Sequence, residues 1–263
     1  MTSIGTTVLG SLPLCRRYQV LCANVAQLHV RCDGTHVPHD ARWIIGVTAL
    51  EEREILGAWI SRGAVSNAWS PELQELRRRG VERVELAATG DLRSLREGLR
   101  TSFPGATALP SFAQRLEGSL SRVAARHRSG VQQCMTEILQ SASGLHAREL
   151  LGAAESGPWG AKYPEILEDW RLALEQGWVL WTLPPALRRA VLSGDGEAAA
   201  LNRSLRKAVA RHGCFADVDE AHAFVVAALA RAERRLDASH AGAVTEHNHH
   251  REGFRPRMDA LGV

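Results

Sequence analysis

The sequence predicts an α/β protein with a mixed five-stranded sheet, a long all-helical segment and C-terminal helices. Three observations predict it. Alternating apolar residues recur in three adjacent segments near the start. Strand patterns then take turns with helix patterns up to residue 112. Beyond that point alternation stops and helical periodicity remains.

The first strand is Tyr18 to Cys32, YQVLCANVAQLHVRC, with Val20, Cys22, Asn24, Ala26, Leu28 and Val30 on one side at period two. Asp33-Gly34 is a hairpin turn signal. Ala41 to Ala49 and Arg53 to Ile60 read as two more strands, so the three form an antiparallel meander. Ser70-Pro71-Glu72 then opens a helix, with Ser70 as N-cap and Pro71 at its first turn, running to Gly80. Val81 to Thr89 reads as a strand and Asp91 to Arg100 as a helix. Phe103-Pro104-Gly105 breaks the chain before a last strand, Ala106 to Phe112. The order β-β-β-α-β-α-β places parallel strands in the second part of the sheet.

Residues 113–182 are helical, with Ala124 to Leu139 and His146 to Ala154 as the clearest segments. Trp159, Trp170, Trp178 and Trp181 concentrate there and read as packing between helices. Pro184-Pro185 starts a short helix to Leu192, Gly194-Asp195-Gly196 reads as a loop, and helices follow over Glu197 to Arg211 and Val218 to Leu236. The predicted organisation is a loose leader over 1–17, a sheet half over 18–112, a helical block over 113–183, closing helices over 184–236 and a polar, His-rich tail over 237–263.

Composition narrows the function classes. Hydrophobic residues make up 45% of 263 residues and aromatics 5%, so Ala, Leu and Val must fill the core. A net charge of +3 permits nucleic-acid binding without arguing for it. Five scattered cysteines without a C-x-x-C pair suggest reduced thiols and a cytoplasmic protein. The start lacks a basic n-region, and no apolar run is long enough to span a membrane.

Eight collinear segments carry a resemblance: LHVRCDG (Leu28–Gly34), IIGV (Ile44–Val47), REILGAW (Arg53–Trp59), ELRRRGVERV (Glu75–Val84), FPGA (Phe103–Ala106), KYPEILEDW (Lys162–Trp170), PPALRRAV (Pro184–Val191) and LNRSLRK (Leu201–Lys207). In this order and spacing the chain resembles the catalytic part of Mutator-family insertion-element transposases. The resemblance implies an RNase-H-like sheet with the helical block inserted before the last catalytic helix. The helical region with which the family binds the ends of its element has no counterpart in this sequence.

The resemblance also implies where the chemistry should be. Strand transfer is phosphoryl transfer at two divalent ions, and Mg²⁺ requires carboxylate oxygens. The family's three acid positions fall on Ala26, Gly90 and Ala199. Its Cys-x-x-His pair falls on Ser111 and Gln114. Asn24 lies on the same strand face as Ala26 but brings no charge. The nearest acids are Asp91, one residue late, and Glu197, two residues early and about 200° round a helix. No metal site and no cofactor are expected, and the fold is expected to be catalytically inactive. The alternatives are an active metal-dependent enzyme using Asp91 and Glu197, and a non-enzymatic DNA- or protein-binding scaffold. DNA is the implied partner, with an intact transposase or a second copy of the chain as other partners.

The remaining candidates are basic or His-rich. Arg188, Arg189, Arg203, Arg206, Lys207 and Arg211 flank the would-be catalytic helix and could neutralise phosphates without a metal. Arg77-Arg78-Arg79 sits at a helix end, where cations offset the dipole. His240, His247, His249 and His250 form a tail with no fixed ligand geometry, and His29 alternates with core residues of its strand. Ser111 with His127 would suit a hydrolase, but the sequence has no nucleophile-elbow motif.

Overall fold

The first strand, β1 (Arg17–Cys32), organises the molecule because both of its faces and both of its edges are used. The computed structural model describes residues 14–32, 34–50, 52–62, 69–232 and 234. β1 pairs antiparallel with β2 (Thr35–Val47), which pairs antiparallel with β3 (Arg53–Arg62). On its other edge β1 pairs parallel with β4 (Arg83–Thr89), which pairs parallel with β5 (Thr107–Pro110). The order is β3-β2-β1-β4-β5, and the sequence expectation of a mixed sheet holds. The sheet has six strands rather than five: β6 (Cys214–Phe215) pairs parallel with His29 and Val30 of β1.

Side chains alternate across a strand, so β1 contributes to two cores. Val20, Cys22, Ala26, Leu28 and Val30 join the larger one. Leu21 and Ala23 join the smaller one, which is closed by Leu73 and Leu76 of α1 (Ser70–Arg78) and Leu95 and Leu99 of α2 (Leu92–Ser102). The larger core is closed by α3 (Phe112–Arg122), α4 (Arg128–Gln140), α5 (Gly144–Ser156), α7 (Pro164–Gln176), α8 (Pro185–His212) and a last helix α9 over 218–232. A short α6 (Pro158–Lys162) links α5 to α7.

Four local expectations change. β2 begins at Thr35 rather than Ala41, because pairing starts directly at the turn, where Gly34 takes φ 77°. Ser70 does not cap α1: Trp69 holds the cap position without a side-chain bond, and its buried ring sets the chain's entry. β5 ends at Pro110 because Ser111 turns the chain into α3, its hydroxyl accepting from the Gln114 N–H at 3.1 Å.

The fourth change matters most. Gly194-Asp195-Gly196 is not a loop; α8 runs unbroken through it. Two glycines cost about 2 kcal/mol of helix propensity relative to alanine. Packing overrides that cost, since Val191, Asp195, Ala198, Asn202, Leu205 and Val209 are all buried at three- and four-residue spacing. The His-rich tail beyond residue 236, most of the leader and the turn residue Asp33 lie outside the described residues.

Candidate functional site

Parallel pairing between β1 and β4 ends at Ala23 opposite Thr89. Asn24 on β1 and Gly90 after β4 are the next residues, and the start of α3 meets them there. Gln114 Nε2 donates to Asn24 Oδ1 at 2.8 Å and to the Ala23 carbonyl at 3.4 Å. Asn24, 1% exposed, donates its own amide to the Cys22 carbonyl at 3.2 Å. A Cβ at position 90 would lie 2.6 Å from Gln114 Oε1, so the Gln114 amide fills the space where a side chain from residue 90 would go.

The β1 residue brought to this point is Asn24, not Ala26. Ala26 pairs with Ala41 two residues further on and is buried in the larger core. Ala199 is 1% exposed and borders a separate groove with Leu116, Leu120 and Arg203.

The two displaced acids are engaged elsewhere. Asp91 caps α2, accepting from the Ser94 N–H at 3.4 Å. Its field reaches Arg42, which packs over Trp69 in the smaller core, on the other face of the sheet from Asn24. Glu197 pairs with Arg53 of β3 at 2.8 Å.

Sequence reasoning missed the carboxylate that does reach the site. Asp195, 3% exposed, accepts the Ser111 hydroxyl at 2.5 Å and the Ala113 N–H at 2.8 Å. It stands one helical turn before Ala199. Flanking glycines disguised it, although its heptad spacing with Val191 and Ala198 was visible. Both oxygens face the positive end of α3, so it acts as a cap lent by another helix.

Burial raises the Asp195 carboxyl from 3.8 to about 6, against the lowering effect of its backbone and Ser111 hydrogen bonds. The folded protein thus holds this proton more tightly than the unfolded chain. The stabilisation from the protonated form is complete below pH 3.8 and lost as pH rises through about 6. Its size is on the order of 3 kcal/mol. Thermal unfolding of Asp195→Asn is expected to lack this component of the pH slope between about pH 4 and 6. Parallel slopes for variant and parent would show that Asp195 does not titrate in that window.

The basic residues of α8 do not form one cluster. Arg203, Arg206, Lys207 and Arg211 are exposed on its last turns, while Arg188 and Arg189 lie roughly 22 Å away at its first turns. Arg206 pairs with Glu117 at 3.5 Å, and Arg188 reaches the Ala142 carbonyl at 3.5 Å. Of the other basic candidates, Arg77 donates to the Ser102 carbonyl at 2.8 Å and Arg79 to the Leu56 carbonyl, so both serve the fold. His127 Nδ1 meets the Tyr163 hydroxyl at 2.6 Å, on the helical block rather than beside Ser111.

Beside Gly90 and Gln114 opens a cleft of about 480 Å³ between the end of β4, α3, α7 and α8. Its carboxylates, Glu117 and Asp169, each pair with an arginine, Arg206 and Arg122. Among the described residues no three His, Cys, Asp or Glu side chains gather as metal ligands would.

A mixed sheet whose polar cleft opens at the carboxyl ends of its parallel strands defines an α/β protein with its site at the sheet edge. This chain belongs to the Mutator family of transposases, whose model matches residues 10–239. It is 27% identical over 216 residues to the transposase for insertion sequence element ISRM3 of Rhizobium meliloti (strain 1021), covering 82% of this chain and 53% of that protein. A probable ISRM3-like transposase of Sinorhizobium fredii matches over the same shares. A probable insertion-element transposase of Corynebacterium diphtheriae is 27% identical over 75% of this chain and 57% of its own length. The chain thus spans about half the length of the curated relatives it matches. No helix among the described residues is long and apolar enough to cross a membrane.

Proposed function

We propose that this chain is an RNase-H-like transposase domain that has lost metal-dependent strand transfer and retains contact with DNA. The strand order β3-β2-β1-β4-β5, antiparallel then parallel, supports the RNase-H-like reading. One observation carries the loss of chemistry. Where carboxylates should converge on a pair of ions, the chain places amide and hydroxyl hydrogen bonds: Asn24 with Gln114, and Ser111 with Asp195.

Divalent cations such as Mg²⁺ do not fit these donors. Asn24 is held by the Gln114 amide and the Cys22 carbonyl, Gly90 and Ala199 offer no side-chain ligand atom, and both Asp195 oxygens are taken. Magnesium dehydrates only for charged oxygen ligands in near-octahedral array, and this pocket offers none that is free. The bond from Gln114 to Asn24 supports reading Asn24, rather than Ala26, as the opening strand's contribution to the site. The geometry also weighs against rescue by Asp91 and Glu197, which are committed to α2 and Arg53.

The protein is expected to leave supercoiled plasmid intact with Mg²⁺ or Mn²⁺. Metal-dependent nicking that is abolished by Asp91→Ala with Glu197→Ala, or by Asp195→Ala, would overturn the proposal. Salt-dependent affinity for DNA distinguishes it from a scaffold with no nucleic-acid partner.

A further inference from the structure

We propose that the cleft beside Gly90 is a metal-free clasp for one phosphodiester group of a nucleic-acid backbone, held by Arg115 and Arg122 of α3 with Arg206 of α8 at the opposite wall. The inference rests on the DNA-contacting reading above and gives it an address.

Three features converge on it. All three guanidinium groups line the same cleft, against the carboxylates of Glu117 and Asp169, which leaves it net positive. Arg115 keeps one buried donor without a partner among the described residues. Its Nη1 donates to the Asp169 carbonyl at 3.3 Å, but its Nε, buried, has no hydrogen-bond partner among the described residues. A buried N–H without an acceptor is unfavourable, and a charged one more so. An anion entering the cleft would offset this guanidinium's charge, in the planar geometry that guanidinium offers to phosphate.

The third feature is Gly118. It lies in the middle of α3, between Arg115 and Arg122, and lines the cleft. Glycine weakens a helix interior, so such a position needs a reason. Internal packing does not provide one: a Cβ there would meet nothing within 4 Å. The absence of a side chain instead leaves a smooth floor on which a sugar–phosphate backbone can lie close to the helix. Asp169, which faces Arg122 at 2.6 Å, is the built-in competitor for the anion.

The occupant is a phosphodiester rather than a free phosphate because the cleft is set beside the exposed arginines of α8, which a continuing backbone would meet and a free anion would not. Two outcomes of opposite sign follow. With EDTA present and at low salt, Arg115→Ala with Arg122→Ala should weaken binding of a fluorescent DNA duplex about tenfold and reduce the salt slope by about two. Asp169→Asn should tighten the same binding, because the competing charge is gone. Gly118→Leu should weaken it like the arginine pair while its melting temperature stays at or above the parent's, separating blocked access from misfolding.

Parent-like affinity in both Gly118→Leu and the double arginine variant, with duplex still bound, would overturn the clasp and leave DNA contact standing elsewhere. No duplex binding by the parent would overturn both readings. Inorganic phosphate serves as the second probe: displacement of duplex by phosphate at a few millimolar would instead assign the cleft to a free anion and overturn the phosphodiester.

Discussion

Replacing Glu72 with alanine is expected to lower folding stability by about 3–5 kcal/mol. Glu72 on α1 meets Arg42 on β2 at 2.8 Å, and their side chains are 6% and 5% exposed. The Arg42 guanidinium also lies 4.1 Å over the buried Trp69 ring. Burial raises the Glu72 carboxyl, partly offset by Arg42, and burial lowers the Arg42 guanidinium, partly offset by Glu72. Each charge is tolerated because the other is there. Deleting one leaves its partner desolvated, whereas a solvated surface pair would be worth about 1 kcal/mol at most. Urea denaturation of Glu72→Ala decides between these. The double variant Arg42→Met with Glu72→Leu is expected to lose far less than the single, since well-packed apolar replacements of a buried pair are often near neutral. A single variant within about 1 kcal/mol of the parent would show that water reaches the pair.

Trp170→Ala is expected to cost about 3–5 kcal/mol, as for other buried large-to-small changes. Trp170 on α7 is fully buried and packs 6.3 Å from Phe112, centroid to centroid. Its Nε1 donates to Ser119 Oγ at 3.0 Å. The ring therefore joins the helical block to α3, the helix that Ser111 caps and that carries Gln114, Arg115 and Arg122. Trp170→Phe keeps most of the packing and leaves Ser119 without this donor, so a loss of about 1–3 kcal/mol is expected. Equal losses for the two variants in denaturant titrations would assign the effect to the hydrogen bond alone.

How much of this was legible in the sequence differs by element. The meander was legible because its strands alternate and Asp33-Gly34 marks the turn. The β-α-β crossovers were legible from Ser70-Pro71 and from Phe103-Pro104-Gly105. Trp170 as a packing residue was legible from its place in a helical pattern. What misled was local chemistry overruled by tertiary contacts. Glycine on both sides of Asp195 signals a loop, yet a buried carboxylate seated on α3 holds the helix straight through it. β6 was hidden because two residues are too few to show alternation.

The site was legible in part. Periodicity placed Asn24 on the correct face, and motif spacing pointed to Gly90, Ser111 and Gln114. Spacing could not show that Gln114 crosses from α3 to bond Asn24, a partnership 90 residues apart in the chain. Nor could it show that Asp91 and Glu197 have other partners.

The middle of β1 has neighbours above, below and on both edges, so a residue there cannot change outline without disturbing four directions at once. An amide and a carboxylate have the same outline. At position 24 an Asn24→Asp exchange would therefore alter charge while sparing shape, so the buried strand can accept a change of chemistry there without a change of architecture.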